Sequence, residues 1–454
     1  MSARRLVLAL AAAGVVAAGA ASLARADWLQ PDPSYRDAQM ELRMAARDTV
    51  NAAPTAARLD TLAFAHLRLG NLDQAKALFE RVLAAEPADE AASAGLGRIT
   101  LFRGDAVRAE SLLARGADRV PGAAADLFAA RLRLGNWTGA APLAEAAGQP
   151  GRAALLELLA GPEGCWRIEG PDEVTVSWAR SIPVPLVRVQ LNGQRLVFAL
   201  DTGVADLLLD ASTARRCGVL MQPEQSTIPW SGTRVAVRNA LVQRLELGGL
   251  RFERIPAGVT SLRRWSLEAN PGAERIAGII GLNLLARFTP TLDYKKGVLI
   301  LRRAPTEGGS GRAATFGAQA LRVPFEVWGE REITVHGSLN GGRRMALALV
   351  TGVPNCGVGA PPEVFEEVGI KAGKAARAVQ SASTWLQGAR WTAVTVPAVT
   401  VGPVAWDKLP GCAGAFDPSE LWRHGVRRDG MLSSEFLRGR RVTIDWEKRE
   451  LVLE

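Results

Sequence analysis

The sequence FALDTG at residues 198–203 ends an apolar stretch that begins at Val184 and that we predict to be a single β-strand. Nearly the same sequence recurs as LALVTG at residues 347–352. Both copies contain the Thr-Gly pair of a short loop, but only the first contains an acidic residue, because Val350 stands where the first copy has Asp201. The chain therefore contains one loop twice and the aspartate of that loop once.

The similarity between the two copies extends well beyond these loops. LNGQRLVFALDTG (191–203) parallels LNGGRRMALALVTG (339–352), and residues 278–301 parallel residues 430–453 at a constant offset without a gap. Alternating apolar and polar residues separated by Gly turns are typical of β-strands. We therefore predict two successive β lobes, at 165–304 and 315–454, joined by a flexible Gly/Ser-rich linker at 305–314.

The region before the lobes, residues 27–160, is rich in Ala and Leu and is predicted to be helical. It repeats with a period of 34 residues, as a set of small, apolar and turn residues shows: Gly70, Ala75, Phe79 and Pro87 match Gly104, Ala109, Leu113 and Pro121, with a weaker third copy at Gly135 and Ala140. This pattern resembles the tetratricopeptide repeat, in which small residues let paired helices approach. Two interpretations are open: a concave face that binds a protein partner, or a helical spacer packed on its neighbour.

The N-terminus has the features of an export signal. Arg4 and Arg5 precede the apolar run 6–23, and Ala24-Arg25-Ala26 forms a small-x-small cleavage pattern. We predict a signal peptide at 1–26 and a periplasmic or secreted protein. The alternative is an uncleaved segment, which would attach the chain to a membrane.

Charge and cysteine usage argue against several classes of function. The net charge is +9, but the arginines are scattered, so a nucleic-acid partner is not expected. The four cysteines are widely spaced and the three histidines are isolated, so neither a metal site nor a cofactor is predicted. Cys356 and Cys412 are either a disulfide within the last lobe or free buried thiols.

Three features in the right order identify a family for the first lobe. A strand ends in Asp201-Thr202-Gly203, two apolar residues and a glycine (Ile279-Ile280-Gly281) follow about 80 residues later, and a short helix then leads to the hairpin sequence TLDYKKGVLIL at 291–301. The set resembles the retropepsin-like aspartic proteases of bacteria, and its tandem duplication resembles the two-lobed pepsin plan. The resemblance covers residues 165–454 and implies all-β tandem acid-protease lobes after the all-α repeats.

The resemblance implies a specific chemistry. In this family two aspartates from facing loops share one proton, because two like charges so close cannot both ionise. It assigns the catalytic role to Asp201, with Thr202 and Gly203 as its loop, and places Val350, Thr351 and Gly352 in the degenerate second loop. The threonines of the family reach across and lock the lobes together. The second lobe is therefore expected to be a packing partner that has lost the chemistry.

Other residues also depart from the family pattern. Val204 follows the first loop where a smaller residue is usual, Ser433 stands at the position matching Gly281, and Pro354 stiffens the second loop. Asp407 and Asp417 lie in the second lobe, but nothing in the sequence places either in the cleft. These departures predict impaired catalysis.

A flap is expected over the cleft at residues 227–237. Trp230, Ser231 and Gly232 are the candidates for its tip, and the alternative is an ordinary hairpin turn. The second-lobe counterpart is 379–394, which contains Trp385.

Three functions are consistent with these features. The first is a degenerate aspartic-protease fold that binds a peptide or protein segment in its cleft without cutting it. The second is an active aspartic endopeptidase, which would use Asp201 either from two chains in a homodimer or alone in a slow single-aspartate site. The third is a non-enzymatic scaffold that acts through its helical repeats.

Overall fold

The structure, a computed structural model, describes residues 35–51, 54–181, 184–230, 233–270, 272, 274–303, 314–371, 392–414 and 421–454. Its N-terminal part is helical, as predicted. The helices are α1 (Tyr35–Asn51), α2 (Ala56–Arg68), α3 (Leu72–Ala85), α4 (Glu90–Phe102), α5 (Ala106–Leu113), α6 (Ala123–Leu134), α7 (Trp137–Ala146) and α8 (Pro150–Ala160). The predicted signal peptide, the start of the predicted helical region and nearly all of the predicted linker lie outside the described residues.

The repeat seen in the sequence corresponds to successive helix pairs. Gly70 and Gly104 follow α2 and α4 in the left-handed region, at φ of 76° and 84°, which glycine adopts without strain. Ala75, Ala109 and Ala140 are fully buried at equivalent positions of α3, α5 and α7. Gly95 lets α4 pack on α3, since a Cβ there would lie 2.2 Å from the Phe79 ring. The expected role of small residues at helix crossings is confirmed.

The β region begins after α8 and continues to the C-terminus. Its first half contains β1 (Arg167–Glu169), β2 (Glu173–Ser177), β3 (Leu186–Leu191), β4 (Gln194–Leu200), β5 (Leu207–Asp210), α9 (Ala211–Arg216), β6 (Leu220–Trp230), β7 (Thr233–Leu247), β8 (Leu250–Thr260), α10 (Arg263–Ala269), β9 (Ile276–Ile280), α11 (Leu282–Leu285), β10 (Thr289–Asp293) and β11 (Val298–Arg302). Most of these strands form an 8-stranded sheet in the order β1-β8-β5-β9-β4-β3-β7-β6.

The second half repeats much of this order. It contains β12 (Leu321–Trp328), β13 (Glu332–Leu339), β14 (Met345–Leu349), β15 (Val358–Ala360), α12 (Pro362–Glu367), β16 (Thr392–Val401), β17 (Val404–Ala413), β18 (Gly430–Leu432), α13 (Ser434–Leu437), β19 (Arg441–Asp445) and β20 (Glu450–Leu453). In both halves a strand, a short helix and a terminal hairpin close the lobe, which is the arrangement that the constant sequence offset predicts.

The prediction of one continuous strand from Val184 to Leu200 is wrong. The segment is a hairpin of β3 and β4 with its turn at Asn192-Gly193, whose φ values are 46° and 85°. Two consecutive residues with positive φ are the requirement of a type I′ turn, for which Asn-Gly is the preferred sequence. Asn340 and Gly341 form the equivalent turn between β13 and β14.

The two lobes share a sheet. β10 of the first half pairs antiparallel with β19 of the second, inside a 12-stranded sheet that also contains β2 and β11. Thr291 and Thr443 face each other in this register, and their Oγ1 atoms are 2.7 Å apart. These residues are equivalent in the two copies, so the contact joins a residue to its own counterpart.

The helical repeats pack directly on the second lobe. Phe102 at the end of α4 stacks on Trp328, with ring centroids 5.1 Å apart. Arg133 of α6 donates hydrogen bonds to the carbonyl oxygens of Leu101 and Val327, both at 2.7 Å. Burial lowers the pKa of Arg133 to about 9. The helices are thus integrated with the β lobes through a shared apolar cluster that also includes Ala346 and Val426.

All four cysteines belong to the described residues and are free thiols, with the side chain of Cys412 hydrogen-bonded to Cys356. Within the same residues, no helix has the length and apolar character that crossing a membrane requires. No cluster of His, Cys, Asp and Glu suited to a metal ion is present in this part of the chain.

Candidate active site

The first loop follows a central strand of the 8-stranded sheet. β4 pairs in parallel with β9, so that Leu200 lies beside Ile280, and the Asp201 amide donates a hydrogen bond of 3.1 Å to the Ile280 carbonyl. Ile279 and Ile280 are fully buried. The strand pair therefore fixes the point at which the backbone turns out of the sheet and presents Asp201.

Gly281 allows close packing beneath this loop. A Cβ at this position would lie 2.4 Å from the Asp206 carbonyl oxygen and 2.5 Å from that of Val204. The loop is also bonded to the start of α11, because the amides of Leu282 and Asn283 donate to the carbonyls of Val204 and Ala205 at 2.8 and 2.7 Å. The predicted supporting role of Ile279, Ile280 and Gly281 therefore has a geometric basis.

The second loop is built in the same way but is supported differently. β14 pairs in parallel with β18, and the Val350 amide donates to the Leu432 carbonyl at 2.9 Å. Ser433 is fully buried, and its Oγ lies 2.5 Å from the Val350 carbonyl oxygen and 2.9 Å from that of Val353. The serine hydroxyl thus ties the loop down at the position where the first copy has a glycine.

The two loops are joined by reciprocal hydrogen bonds. Thr202 Oγ1 donates to the Leu349 carbonyl at 2.6 Å and accepts from the Thr351 amide at 3.1 Å. Thr351 Oγ1 donates to the Leu200 carbonyl at 3.1 Å and accepts from the Thr202 amide at 3.1 Å. All of these groups are buried, so each bond satisfies backbone atoms that have no access to water.

Asp201 and Val350 occupy equivalent positions on either side of this seam. The Asp201 side chain lies against Gly352, where an added Cβ would be 2.1 Å from its Oδ2 atom. The Val350 side chain lies against Gly203, where an added Cβ would be 2.5 Å from its Cγ1 atom. Each glycine leaves room for the residue from the opposite loop, and only one of those residues is acidic.

The carboxylate of Asp201 is almost completely buried, at 1% exposure. Its Oδ1 accepts hydrogen bonds from the amides of Gly203 at 2.8 Å and Gly352 at 3.0 Å. Burial raises the pKa of Asp201 to about 6, against the opposing effect of these two amides. No acidic side chain in the described part of the chain contributes to that pKa.

The structure also places Val204 and Pro354, which depart from the family pattern, and one of the two second-lobe aspartates. Val204 is half-buried and packs against the apolar cluster beneath the first loop, and Pro354 is buried within the second loop. Asp407 is exposed on β17 and makes no contribution to the pKa of Asp201. Asp417 lies outside the described residues.

The predicted flap is a hairpin. β6 and β7 pair antiparallel up to Trp230 and Thr233. Ser231 and Gly232, the predicted tip, lie outside the described residues, as do most of 379–394 and Trp385. The covering of the cleft by Trp230 stays a prediction.

A cavity of about 170 Å³, here called the junction cavity, lies beside the first loop. Its walls come from all three parts of the molecule and include Gln149, Arg152, Gly203, Asn239, Glu330 and His424. Arg152 of α8 spans it, with Nη1 3.2 Å from Asp206 and Nη2 2.6 Å from Glu330. Sequence reasoning missed Arg152, because nothing local indicates two partners so far away along the chain.

The fold and the loop pair define an acid-protease-like region preceded by helical repeats. Comparison with known families agrees: residues 187–284 match the aspartyl protease family and residues 66–134 match the tetratricopeptide repeat. The chain is thus similar to aspartyl proteases over much of its first β lobe and to tetratricopeptide repeats over part of its helical region.

The solved structures with similarity to the chain include the following two. A retropepsin-like aspartic protease from Rickettsia conorii is 20% identical over 30% of this chain and 94% of that chain, with a TM-score of 0.20. Basic 7S globulin from soybean is 11% identical over 64% of this chain and 95% of that chain, with a TM-score of 0.35. No curated protein matches the chain.

Proposed function

We propose that this protein binds an extended peptide or protein segment in a cleft between its two acid-protease lobes and that it is catalytically impaired. The observation that carries the proposal is the pairing of Asp201 with Val350 at equivalent positions across the seam. Both threonines of the interface are present and bonded, whereas one of the two carboxylates is missing.

The chemistry of peptide hydrolysis explains why one carboxylate is insufficient. An ionised carboxylate takes a proton from the attacking water, and a protonated carboxyl group donates to the developing oxyanion and later to the leaving amine. Asp201 can do one of these tasks at a time. The valine side chain has neither a proton to donate nor a lone pair to position water, and loss of one acid–base group alone typically costs about 10²- to 10⁴-fold in rate.

Binding of an extended segment does not require the second carboxylate. Gly203 is exposed beside the junction cavity, and β6 and β7 form a hairpin in the part of the lobe where a cover is expected. Extended peptides bind mainly through backbone hydrogen bonds to an exposed strand edge, and pockets on the protein receive their alternate side chains. We include export to the periplasm or the cell exterior in the proposal, on the basis of the sequence at residues 1–26.

Formation of an active homodimer would need the second lobe to leave its place beside Asp201. That movement would break the reciprocal threonine bonds and the pairing of β10 with β19. It would also expose the buried contact between Thr291 and Thr443. These costs favour the single-chain arrangement, in which a tethered lobe competes at high effective concentration.

A cleavage assay tests the proposal. Casein and a peptide library would be incubated with the wild type, Asp201→Ala and Val350→Asp across roughly pH 3 to 8, the range over which a carboxyl pair titrates. We expect no Asp201-dependent cleavage by the wild type. Acid-dependent cleavage that Asp201→Ala abolishes, and that a statine-type inhibitor blocks, would overturn the impaired state and favour the endopeptidase.

A second assay tests binding. Peptides from the same library would be screened for retention by the wild type and by Asp201→Asn, which preserves the shape of the loop. We expect equal retention by both proteins. Retention by the helical repeats alone, with none by the lobes, would instead support a scaffold function.

A further inference from the structure

A second cavity, of about 320 Å³, lies between the helical repeats and the second lobe and shares no lining residue with the junction cavity. One wall is a single face of α1, and a second wall is the turn between α2 and α3. The third wall comes from His336 on β13, from the start of β14 with the two residues before it, and from the segment before β18. We call it the arginine cavity, after the side chains that characterise its lining: Arg43, Arg343, Arg344 and Arg427.

The charges in and around this cavity are unbalanced. Within the lining, four guanidinium groups face one carboxylate, Asp429. Two carboxylates reach lining residues from outside: Glu367 lies 3.0 Å from Arg343, and Glu326 lies 3.2 Å from His336. The cavity therefore keeps an excess of positive charge. Arg43 and Arg344 are exposed, so they are free to move toward a ligand.

Asp429 has no capacity left to neutralise this excess. Its Oδ1 accepts from Arg343 at 2.6 Å and from Arg427 at 2.9 Å. Its Oδ2 accepts from Arg343 and from the Ala346 amide, both at 3.0 Å. The carboxylate therefore positions Arg343 and Arg427 side by side. Arg343 also donates to Glu367 at 3.0 Å and to the Arg344 carbonyl at 3.2 Å, so most of its N–H groups are already used.

Arg427 supplies an independent indication of a ligand. The residue is only 4% exposed and lines the cavity, yet its Nη2 atom has no hydrogen-bond partner among the residues described. An unsatisfied buried donor on a charged group is costly, and such groups are normally paired. The centroid of the Tyr35 ring lies 3.7 Å from the Arg343 guanidinium carbon and 5.3 Å from that of Arg427. Contact with this ring helps to hold both guanidinium groups in place.

We propose that the arginine cavity is a binding site for a phosphate monoester group. The excess of positive charge suits a group that carries about −1.5 to −2 charges at pH 7. Planar guanidinium groups bind phosphate oxygens with paired hydrogen bonds, which favours arginine over lysine at such sites. The volume exceeds what a phosphate alone needs, so an attached organic group is accommodated.

The test measures phosphate binding to the full-length protein. Inorganic phosphate would be titrated into the wild type, Arg43→Gln and Arg344→Gln by calorimetry at constant ionic strength, with chloride as the reference anion. The exposed Arg195 on β4 has no ion pair among the described residues, so Arg195→Gln is the matched control. Far-UV circular dichroism would check that each variant is folded.

We expect saturable phosphate binding by the wild type. In Arg43→Gln and Arg344→Gln the dissociation constant should rise about tenfold or more, since the free energy of one hydrogen bond to a charged group corresponds to that change in affinity. Arg195→Gln should bind like the wild type. Absence of saturation, or equal affinity in all four proteins, would overturn the proposal.

A further arm distinguishes the source of the phosphate group. The protein would be mixed with glycerol 3-phosphate in solution and, separately, with phosphatidylcholine vesicles with and without phosphatidic acid. Binding of the soluble ester alone points to a free metabolite, and Arg344-dependent binding of phosphatidic acid vesicles points to a lipid headgroup. Failure of both would contradict the site, and neither outcome depends on whether Asp201 is catalytically competent.

Discussion

The loop at Asp201 and the loop at Val350 share the threonine contacts that join the lobes and differ in the one side chain that carries charge. Thr202 and Thr351 make the same pair of hydrogen bonds to each other's loops. Gly203 and Gly352 each leave space for the side chain opposite. The comparison teaches that the contacts holding the two lobes together do not require a carboxylate in both loops.

The largest effect is expected from breaking the shared part of the two loops. Thr202→Val removes the hydroxyl that satisfies the Leu349 carbonyl and the Thr351 amide, and Thr351→Val removes its counterpart. Each buried group left unpaired costs about 1–3 kcal/mol, so either variant should lose about 2–5 kcal/mol of unfolding free energy. Urea denaturation would measure the loss.

Thr395→Val, at an exposed position of β16, is the matched control, with an expected change within about 0.5 kcal/mol. Similar losses in Thr202→Val and Thr351→Val would support the symmetry of the seam. A loss in only one of them would break the comparison.

A smaller and pH-dependent effect is expected where the loops differ. Burial raises the pKa of Asp201 from 3.8 to about 6, so the folded protein binds a proton more tightly than the unfolded chain. Stability from this group is therefore greatest below about pH 4, falls as pH rises toward 6, and stays lower above it. Asp201→Asn removes this dependence.

Between pH 4 and pH 7.5, the wild type should lose at most about 3 kcal/mol of unfolding free energy relative to Asp201→Asn. Denaturation curves at both pH values would measure it. A difference that does not change with pH would show that the carboxylate is not buried as described.

The smallest effect is expected at the supports beneath the loops. Ser433→Ala removes the hydroxyl that bonds to the carbonyls of Val350 and Val353 and should cost about 1 kcal/mol. Ser177→Ala, at an exposed site on β2, serves as its control. An unchanged stability in Ser433→Ala would mean that the serine does not tie down the second loop.

Much of this arrangement can be predicted from local sequence. The paired loops, the apolar-apolar-Gly segment and the helical period depend on residues close together in the chain, and they indicate both the fold and the missing carboxylate. The Asn-Gly signal for the turn at 192–193 is equally local, but the apolar residues on both sides of it give the segment the pattern of a single strand.

The contacts that join distant parts of the chain could not be predicted in this way. Arg152 bonds to Asp206 and Glu330, and Arg427 is placed beside Arg343 by Asp429. No pattern in the sequence around an arginine indicates a partner many strands away. The pairing of β2 with β11 at the edge of the 12-stranded sheet is equally hard to predict, since strand pairing depends on the final packing.

The central claim is that Asp201 titrates alone, and its side-chain carboxyl ¹³C signal tests this most directly. A pH titration by NMR should show one transition with a pKa near 6 in the wild type. Val350→Asp should convert it to two steps, because paired carboxyl groups titrate together. Two coupled steps in the wild type would contradict the account, since they would reveal a second acidic group beside Asp201.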